Sequence, residues 1–305
     1  FHGLIAGADV FIHNVSPKAA MRLGIDADTL HRTFPHLIAA GISGYGLDGP
    51  RTDDKAYDLA IQAEAGVFSV TGTGEMSKVG FSVADICAGM YALTSILAAL
   101  VRRERTGEGA AIHVSMLDSL AEWMSAPLYG AVYGPGQGPR AGRRHHAIAP
   151  YGTFTLSDGN VILIAVQSDG EWCSMAEHLL GDASLGVDPR FATNELRVGN
   201  VDELEGIIRA RLASLDLATT TRLLDEGRVA HARVNDLQGV WNHEQLRARD
   251  RFVPVSTPSG DIELLAQPFD ISDLEFPPGR VPALNEHRPE TVEEIIRRGR
   301  RNAGD

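Results

Sequence analysis

DVFIHNVSPKAAMRLGIDADTLHRTFPHLIAAGIS, Asp9 to Ser43, carries the pattern that decides the fold. A β-branched and aromatic run at Val10–Ile12 reads as a strand. Helical segments near Lys18–Leu23 and Ala27–Thr33 follow, then a second apolar strand at His36–Ser43, closed by the turn-rich GYGLDGP. Two strands separated by helices are joined by a crossover rather than a hairpin, so the pair runs parallel and the unit is α/β. The strand at Val10–Ile12 has no earlier strand to pair with, and the chain opens on Phe1 rather than Met. The expectation is that an N-terminal part of this domain lies outside the numbering.

Working outward, Ile86, Met90, Leu93, Leu97, Leu100 and Val101 recur at helical spacing and predict a long buried helix. RTGEGAAIHVSMLDS adds a glycine turn, a strand at Ala111–Val114 and a helix to about Leu128. Composition then shifts: Tyr129–Pro150 is rich in Gly, Pro and Arg and has no period, which reads as a linker. Beyond it, YGTFTLSDGNVILIAV alternates apolar residues about an Asp158-Gly159 turn, a hairpin pattern. Helices are expected at Glu171–Leu180, Asp202–Leu212 and Ala218–Glu226, a shorter strand pattern in FVPVSTPSGDIELLAQPF, and a terminal helix in PETVEEIIRRGRR. The expected division is a large α/β domain over 1–128, the linker over 129–150, a small domain over 151–245, and a C-terminal return to the large domain over 246–305.

Composition excludes several classes of function. A 305-residue chain with 44% hydrophobic residues has enough apolar surface for a substantial core. The net charge of −12 repels a phosphate backbone, and the Arg pairs are scattered, so nucleic acid is not an expected partner. The apolar stretch around Ile86–Val101 is interrupted by polar residues and ends in Arg102-Arg103, so no membrane span is expected. Cys87 and Cys173 stand far apart with no CxxC spacing, which suits a reducing cytoplasm.

The candidate chemical groups each admit a structural reading. Asp85, in SVADICAGM, precedes the long helix and is either its N-cap or a reactive carboxylate. Lys55, Tyr57 and Asp58 form a polar entry to an otherwise apolar segment, either a solvated helix start or part of a site. GYGLDGP and TGTGE lack the strand-to-helix setting of a phosphate loop and read as turns. His145 and His146 have no third ligand at a suitable interval, so no metal site is expected. His113, Ser115 and Asp118 sit where a strand passes into a helix without a GxSxG elbow, and they are not read as a triad.

NVSPKAAMRLGI, GISGYGLDGP, KAYDLAIQAEAGVFSVTG, SVADICAGMYA, RRERTGEGAAIHVSMLDS, HAIAPYGTF with DGNVILIAV, and NEHRPETVEEI together resemble, in order and spacing, the blocks of the class III CoA-transferases, the CaiB/BaiF group that includes formyl-CoA transferase. The resemblance implies a Rossmann-like large domain with a parallel sheet, a smaller α+β domain, and two chains interlocked as rings in a homodimer. It implies CoA transfer between an acyl-CoA and a carboxylic acid, with coenzyme A as a substrate and no permanently bound cofactor. By the same resemblance Asp85 is the nucleophile, forming an aspartyl anhydride and then an aspartyl-CoA thioester. Asn14, Val15, Arg22, Leu23 and Lys55 fall on CoA contacts, and Tyr57 and Asp58 fall beside the reacting centre. Racemases of the same fold carry His followed by Asp at positions 57 and 58. Tyr57 leaves half of that acid–base pair missing, which favours transfer over racemisation. A non-catalytic CoA-binding homologue is the third reading, and the presence of Asp85 counts against it. The consecutive glycines of the oxalate-type enzymes are absent. The blocks around Asp85 and RRHHAIAPYGTF look closest to branches acting on C4–C5 dicarboxylic acids such as mesaconate, itaconate and succinate, with Arg140, Arg143 and Arg144 or His145 as candidates for a distal carboxylate.

Overall fold

The computed structural model describes residues 1–140, 142–287 and 292–297. Two compact units emerge among the described residues, Phe1–Ile148 with 295–297, and Ala149–Glu294. The sequence-predicted NEHRPETVEEI block and terminal helix fall partly outside the described residues; within them, 292–297 is helical.

The first unit is built on the opening pattern. After α1 (His2–Ile5) come β1 (Val10–His13), α2 (Pro17–Leu23), α3 (Ala27–Thr33) and β2 (Ile38–Ser43). Pro17 opens α2 where its missing N–H costs nothing, and Gly24, at φ 65°, closes it in the left-handed region that a Cβ disfavours. Asp26 caps α3 by accepting from the Thr29 N–H at 3.0 Å. The chain continues through α4 (Asp58–Glu64), α5 (Val67–Val70), α6 (Val83–Thr106), β3 (Ala110–Ser115), α7 (Met116–Trp123) and α8 (Ser125–Tyr133). The strands form a parallel sheet in the order β1-β2-β3, with Val10 opposite Ile38 and Ile38 opposite Ala110. The parallel pairing expected from Asp9–Ser43 is thus present. The run from Tyr129 reads as linker in the sequence, but it is helical as far as Tyr133.

The 24-residue α6 corrects one expectation. Its helical period is as predicted, but the buried face is Val83, Ala84, Cys87, Ala88, Ala92 and Ala99. The large apolar residues stand outside, with Ile86 49%, Met90 51%, Leu97 54% and Val101 57% exposed. The cause is steric: small side chains let the helix axis approach β2 and β3, against which α6 packs, closer than Leu or Met would. By length and composition α6 is also apolar enough to cross a membrane, a test that core helices of globular proteins pass as well.

In the second unit β4 (Tyr151–Thr155), β5 (Val161–Ala165) and, after helices, β6 (Ala230–Arg233) form an antiparallel sheet in that order. The β4–β5 hairpin places Phe154 opposite Ile162, with Gly159 at φ 81° in its turn. Phe154, Ile162 and Ile164 are buried, each contributing roughly 1.5–3 kcal/mol of apolar burial. They pack with residues of α9 (Asp169–Met175), α10 (Asn194–Gly199), α11 (Val201–Leu212) and α12 (Leu217–Glu226). A π-helical turn at Ala176–Leu180 prolongs α9, so the helix expected to Leu180 is present in a modified form. α13 (Leu237–Trp241), α14 (Glu244–Ala248) and a separate hairpin of β7 (Phe252–Thr257) and β8 (Gly260–Leu265) complete the unit.

Candidate active site

Asp85 occupies the first turn of α6, whose N-cap is Ser82. Ser82 makes no side-chain cap, and Asp85 is not the cap either, so that structural reading is corrected. The cap comes from another element. Asp58, first residue of α4, accepts the Ala84 N–H at 2.8 Å and the Asp85 N–H at 3.3 Å through one oxygen, Oδ1. The exposed N–H groups of a helix N-terminus need acceptors, and a carboxylate also complements the helix dipole. Its other oxygen, Oδ2, accepts from the Gln62 amide at 2.7 Å. With the cap supplied by Asp58, the Asp85 carboxylate makes no hydrogen bond or ion pair among the described residues. Partial desolvation first, and the Asp58 charge second, raise its pKa above the ordinary carboxylate value. A carboxylate so raised is a stronger base and a better nucleophile once ionised. Cys87, one residue past Ile86, is buried and its thiol is pushed up by that burial, so no thiolate competes beside Asp85.

Tyr57 is the N-cap residue of α4 and is 73% exposed, its ring open to an incoming group. Lys55 is exposed. The segment carrying both lies against the end of β2 because Gly44 has no side chain: a Cβ there would stand 2.0 Å from the Ala56 Cβ. Lys55, Tyr57, Asp58 and Asp85 are therefore gathered where the N-termini of α4 and α6 meet.

Asn14, Val15, Arg22 and Leu23 form a second group, on the turn after β1 and along α2. Asn14, Arg22 and Leu23 are exposed, and Val15 lines a cavity with Pro17, Ala20, Met21, Asp26, Asp28, Ile42 and His113. α2 begins just past the carboxyl end of β1, and Gly44, just past the carboxyl end of β2, lies against Ala56 ahead of α4, so the starts of α2 and α4 lie at the edge where α/β folds bind ligands. The cavity also holds residues without a sequence signal. His13, Gly41 and His113 are register partners across the three strands, and Gly41 leaves room for the His13 ring, whose Nε2 would lie 3.1 Å from a Cβ. Burial lowers the His13 pKa, with Asp26 opposing and His113 reinforcing the shift. His113 pairs with Asp28 at 3.1 Å. Only the strand register brings these residues into one row; isolated His in strands carries no periodic mark.

The remaining candidates divide. Ser115 caps α7 through the Asp118 N–H at 3.2 Å while His113 pairs elsewhere, so the three form no triad. His145 and His146 stack on each other at 4.7 Å, and among the described residues no cluster of His, Cys, Asp or Glu is suited to a metal ion. Arg140 donates to the Gly74 carbonyl at 2.6 Å.

The family model of CoA-transferase family III matches residues 1–288. The chain belongs to that family. A succinyl-CoA:mesaconate CoA-transferase of Haloarcula hispanica is 32% identical over 96% of this chain and 75% of its own length. An acyl-CoA transferase of Fusarium pseudograminearum is 30% identical over 96% of this chain, which spans 65% of that relative. Among solved structures, a CaiB/BaiF family protein from Brucella suis superposes with a TM-score of 0.84 at 31% identity, covering 96% of this chain and 77% of that one. For this family III chain the mixed α/β architecture with a parallel sheet agrees with the expectation from Asp9–Ser43.

Proposed function

We propose that the protein moves CoA from an acyl-CoA thioester to a free carboxylic acid, with Asp85 as the covalent carrier. The observation that carries the reading is the freedom of the Asp85 carboxylate at a helix N-terminus whose cap Asp58 supplies. Attack of an Asp85 oxygen on the thioester carbonyl forms a mixed anhydride and expels CoA thiolate. The thiolate attacks the aspartyl carbonyl, giving an aspartyl-CoA thioester and releasing the first acid as its carboxylate. The acceptor carboxylate attacks that thioester, forming a second anhydride and expelling thiolate again. Attack of thiolate on the acceptor's carbonyl then yields the new acyl-CoA and the original carboxylate. One activated bond is kept throughout. N–H groups of the α6 N-terminus favour the negative charge that develops beside Asp85.

Asn14, Val15, Arg22, Leu23 and Lys55 hold CoA in this reading, Arg22 as the cation for a phosphate. Tyr57 packs against the reacting centre, and Asp58 orients it. Coenzyme A is a substrate rather than a resident cofactor. C4–C5 dicarboxylic acids are the substrates of choice, supported by the relative named for mesaconate. The two free cysteines fit a reducing cytoplasm. The test is a panel of acyl-CoA esters and free dicarboxylic acids incubated with the protein in deuterated water, with CoA products read by mass. New acyl-CoA species without deuterium at the α-carbon are expected. Rapid α-exchange without transfer would favour the racemase chemistry that Tyr57 argues against.

The interlocked homodimer, with residues 129–150 as linker and 246–305 as the return to the large domain, belongs to the same proposal. Its support is the α6 face: Ile86, Met90, Leu93, Leu97 and Val101 are exposed on one helical stripe. A partner chain laid on that stripe removes it from water. Sedimentation is expected to give a dimer that persists on strong dilution and in high salt, burying more than about 2,000 Å² and dissociating only on unfolding. A folded monomer at equilibrium would overturn the arrangement.

A further inference from the structure

Gln62 lies one helical turn past Asp58 on α4 and is fully buried. Its amide is engaged on both sides. The nitrogen donates to Asp58 Oδ2 at 2.7 Å and to the Phe81 carbonyl at 3.3 Å, and the oxygen accepts the Val79 N–H at 2.9 Å. The pattern fixes the orientation of the amide, because exchanging O and N would set donor against donor at Val79 and acceptor against acceptor at Asp58 and Phe81. One side chain thus joins α4, the Val79–Phe81 approach to α6, and the carboxylate that caps α6.

The last of these links matters for chemistry. The terminal torsion of an Asp side chain is soft, so a carboxylate bonded through one oxygen only is free to turn. Asp58 caps the Ala84 and Asp85 N–H groups with Oδ1, and the Gln62 amide holds Oδ2 in a charge-assisted bond. Released from Gln62, the Asp58 carboxylate would be held only through Oδ1 and free to turn, loosening its hold on the first turn of α6. That turn carries Asp85.

We infer that Gln62 is a positioning residue for the nucleophile, acting through Asp58: it fixes the carboxylate that fixes the turn from which Asp85 attacks. The inference rests on the reading of Asp85 as the nucleophile. An amide suits the position because it supplies a donor for Asp58 and an acceptor for Val79 at once, as neither an ionised Glu nor a Met does.

The experiment uses the intact protein with the donor and acceptor pair of highest turnover in the panel above. Gln62→Met, of similar length and without polar hydrogens, is compared with Asp58→Ala and with the double variant. Expected is a fall in kcat of about 10–100-fold in Gln62→Met, the scale for a displaced reacting group, with KM for the acyl-CoA changed by less than about two-fold. In the Asp58→Ala background the same substitution is expected to have little further effect on kcat, because the link it breaks is already gone. An undiminished kcat in Gln62→Met, or an equal further loss in the Asp58→Ala background, overturns the inference.

Gln62→Glu keeps the acceptor for Val79 and serves where the Met variant does not fold. Its activity relative to the unaltered protein is expected to rise as pH falls, since the protonated carboxyl donates to Asp58 as the amide does; the ionisable group it bonds is Asp58, whose charge also reaches Asp85 and Cys87. A flat ratio overturns the inference. Hydroxylamine trapping on the unaltered protein separates the two levels. Label absent from Asp85 removes the nucleophile reading itself, whereas label at Asp85 with full activity in both Gln62 variants removes only the role of Gln62.

Discussion

Asp85→Asn is expected to abolish CoA transfer, lowering kcat by at least about 10³-fold, while leaving the fold in place. The amide matches the carboxylate in shape and lacks the charged oxygen that attacks the thioester in the proposed mechanism. The fold survives because the cap of α6 is Asp58, which still accepts from the Ala84 N–H and from the backbone N–H of position 85. The sign of the stability change follows from linkage. The carboxyl of Asp85 is raised in the fold by desolvation and by Asp58, so its stability contribution is fully present below the unfolded pKa and is lost as pH rises through the folded value. At neutral pH the charge is a cost, and the Asn variant is expected to melt at or slightly above the temperature of the unaltered protein. In the proposed mechanism the same shift sets the acid limb of activity, because the nucleophile must be ionised, and kcat/KM is expected to fall as pH drops through that raised value. Mixing the protein with acyl-CoA and then hydroxylamine should change the mass of the peptide holding Asp85, and no such change should occur in the Asn variant. Near-normal turnover in that variant would end the covalent mechanism.

Arg197→Met is expected to destabilise the second unit by about 2–5 kcal/mol, from two buried carbonyls left without donors. Arg197 is only 1% exposed, yet all three of its guanidinium nitrogens are bonded: Nε to the Ala149 carbonyl at 2.7 Å, Nη1 to the Phe191 carbonyl at 3.0 Å and Nη2 to Asp169 at 2.9 Å. Ala149 and Phe191 are themselves buried, so a thioether in place of the guanidinium leaves both carbonyls without a donor and away from water. The stem and the Trp172 ring beneath it, 5.8 Å from the guanidinium carbon, keep most of their packing, which makes the loss chiefly one of hydrogen bonds. Denaturant unfolding followed by Trp fluorescence reads the effect, because Trp172 lies in that core. A midpoint unchanged within error would mean that the carbonyls find other donors.

Periodicity and turn chemistry made much of this molecule legible. The Val10 and Ile38 strands were readable because β-branched runs flank helix signals whose lengths require a crossover, and a crossover requires parallel pairing. The β4–β5 hairpin was readable because Asp158-Gly159 sits between alternating apolar residues. The length of α6 was readable from its period, but its buried face was not: hydrophobic size marks what avoids water somewhere, and in this chain the alanines touch the sheet while Ile86, Met90 and Leu97 face outward. A residue left exposed within one chain and one buried in its core obey the same pattern.

By itself the sequence determined the crossover strands, the order of the blocks and the placement of a carboxylate at the start of the longest helix. Those depend on neighbours along the chain, where spacing and side-chain type suffice. Only the tertiary structure decided that Asp85 is no cap, that Asp58 supplies the cap from another helix, that Gln62 grips it, and that His13 and His113 flank Gly41 in one row. Each of these is a contact between segments distant in the chain, made by a hydrogen bond or a strand register with no local propensity to announce it, so only the folded arrangement of α4, α6 and the sheet brings the partners within reach.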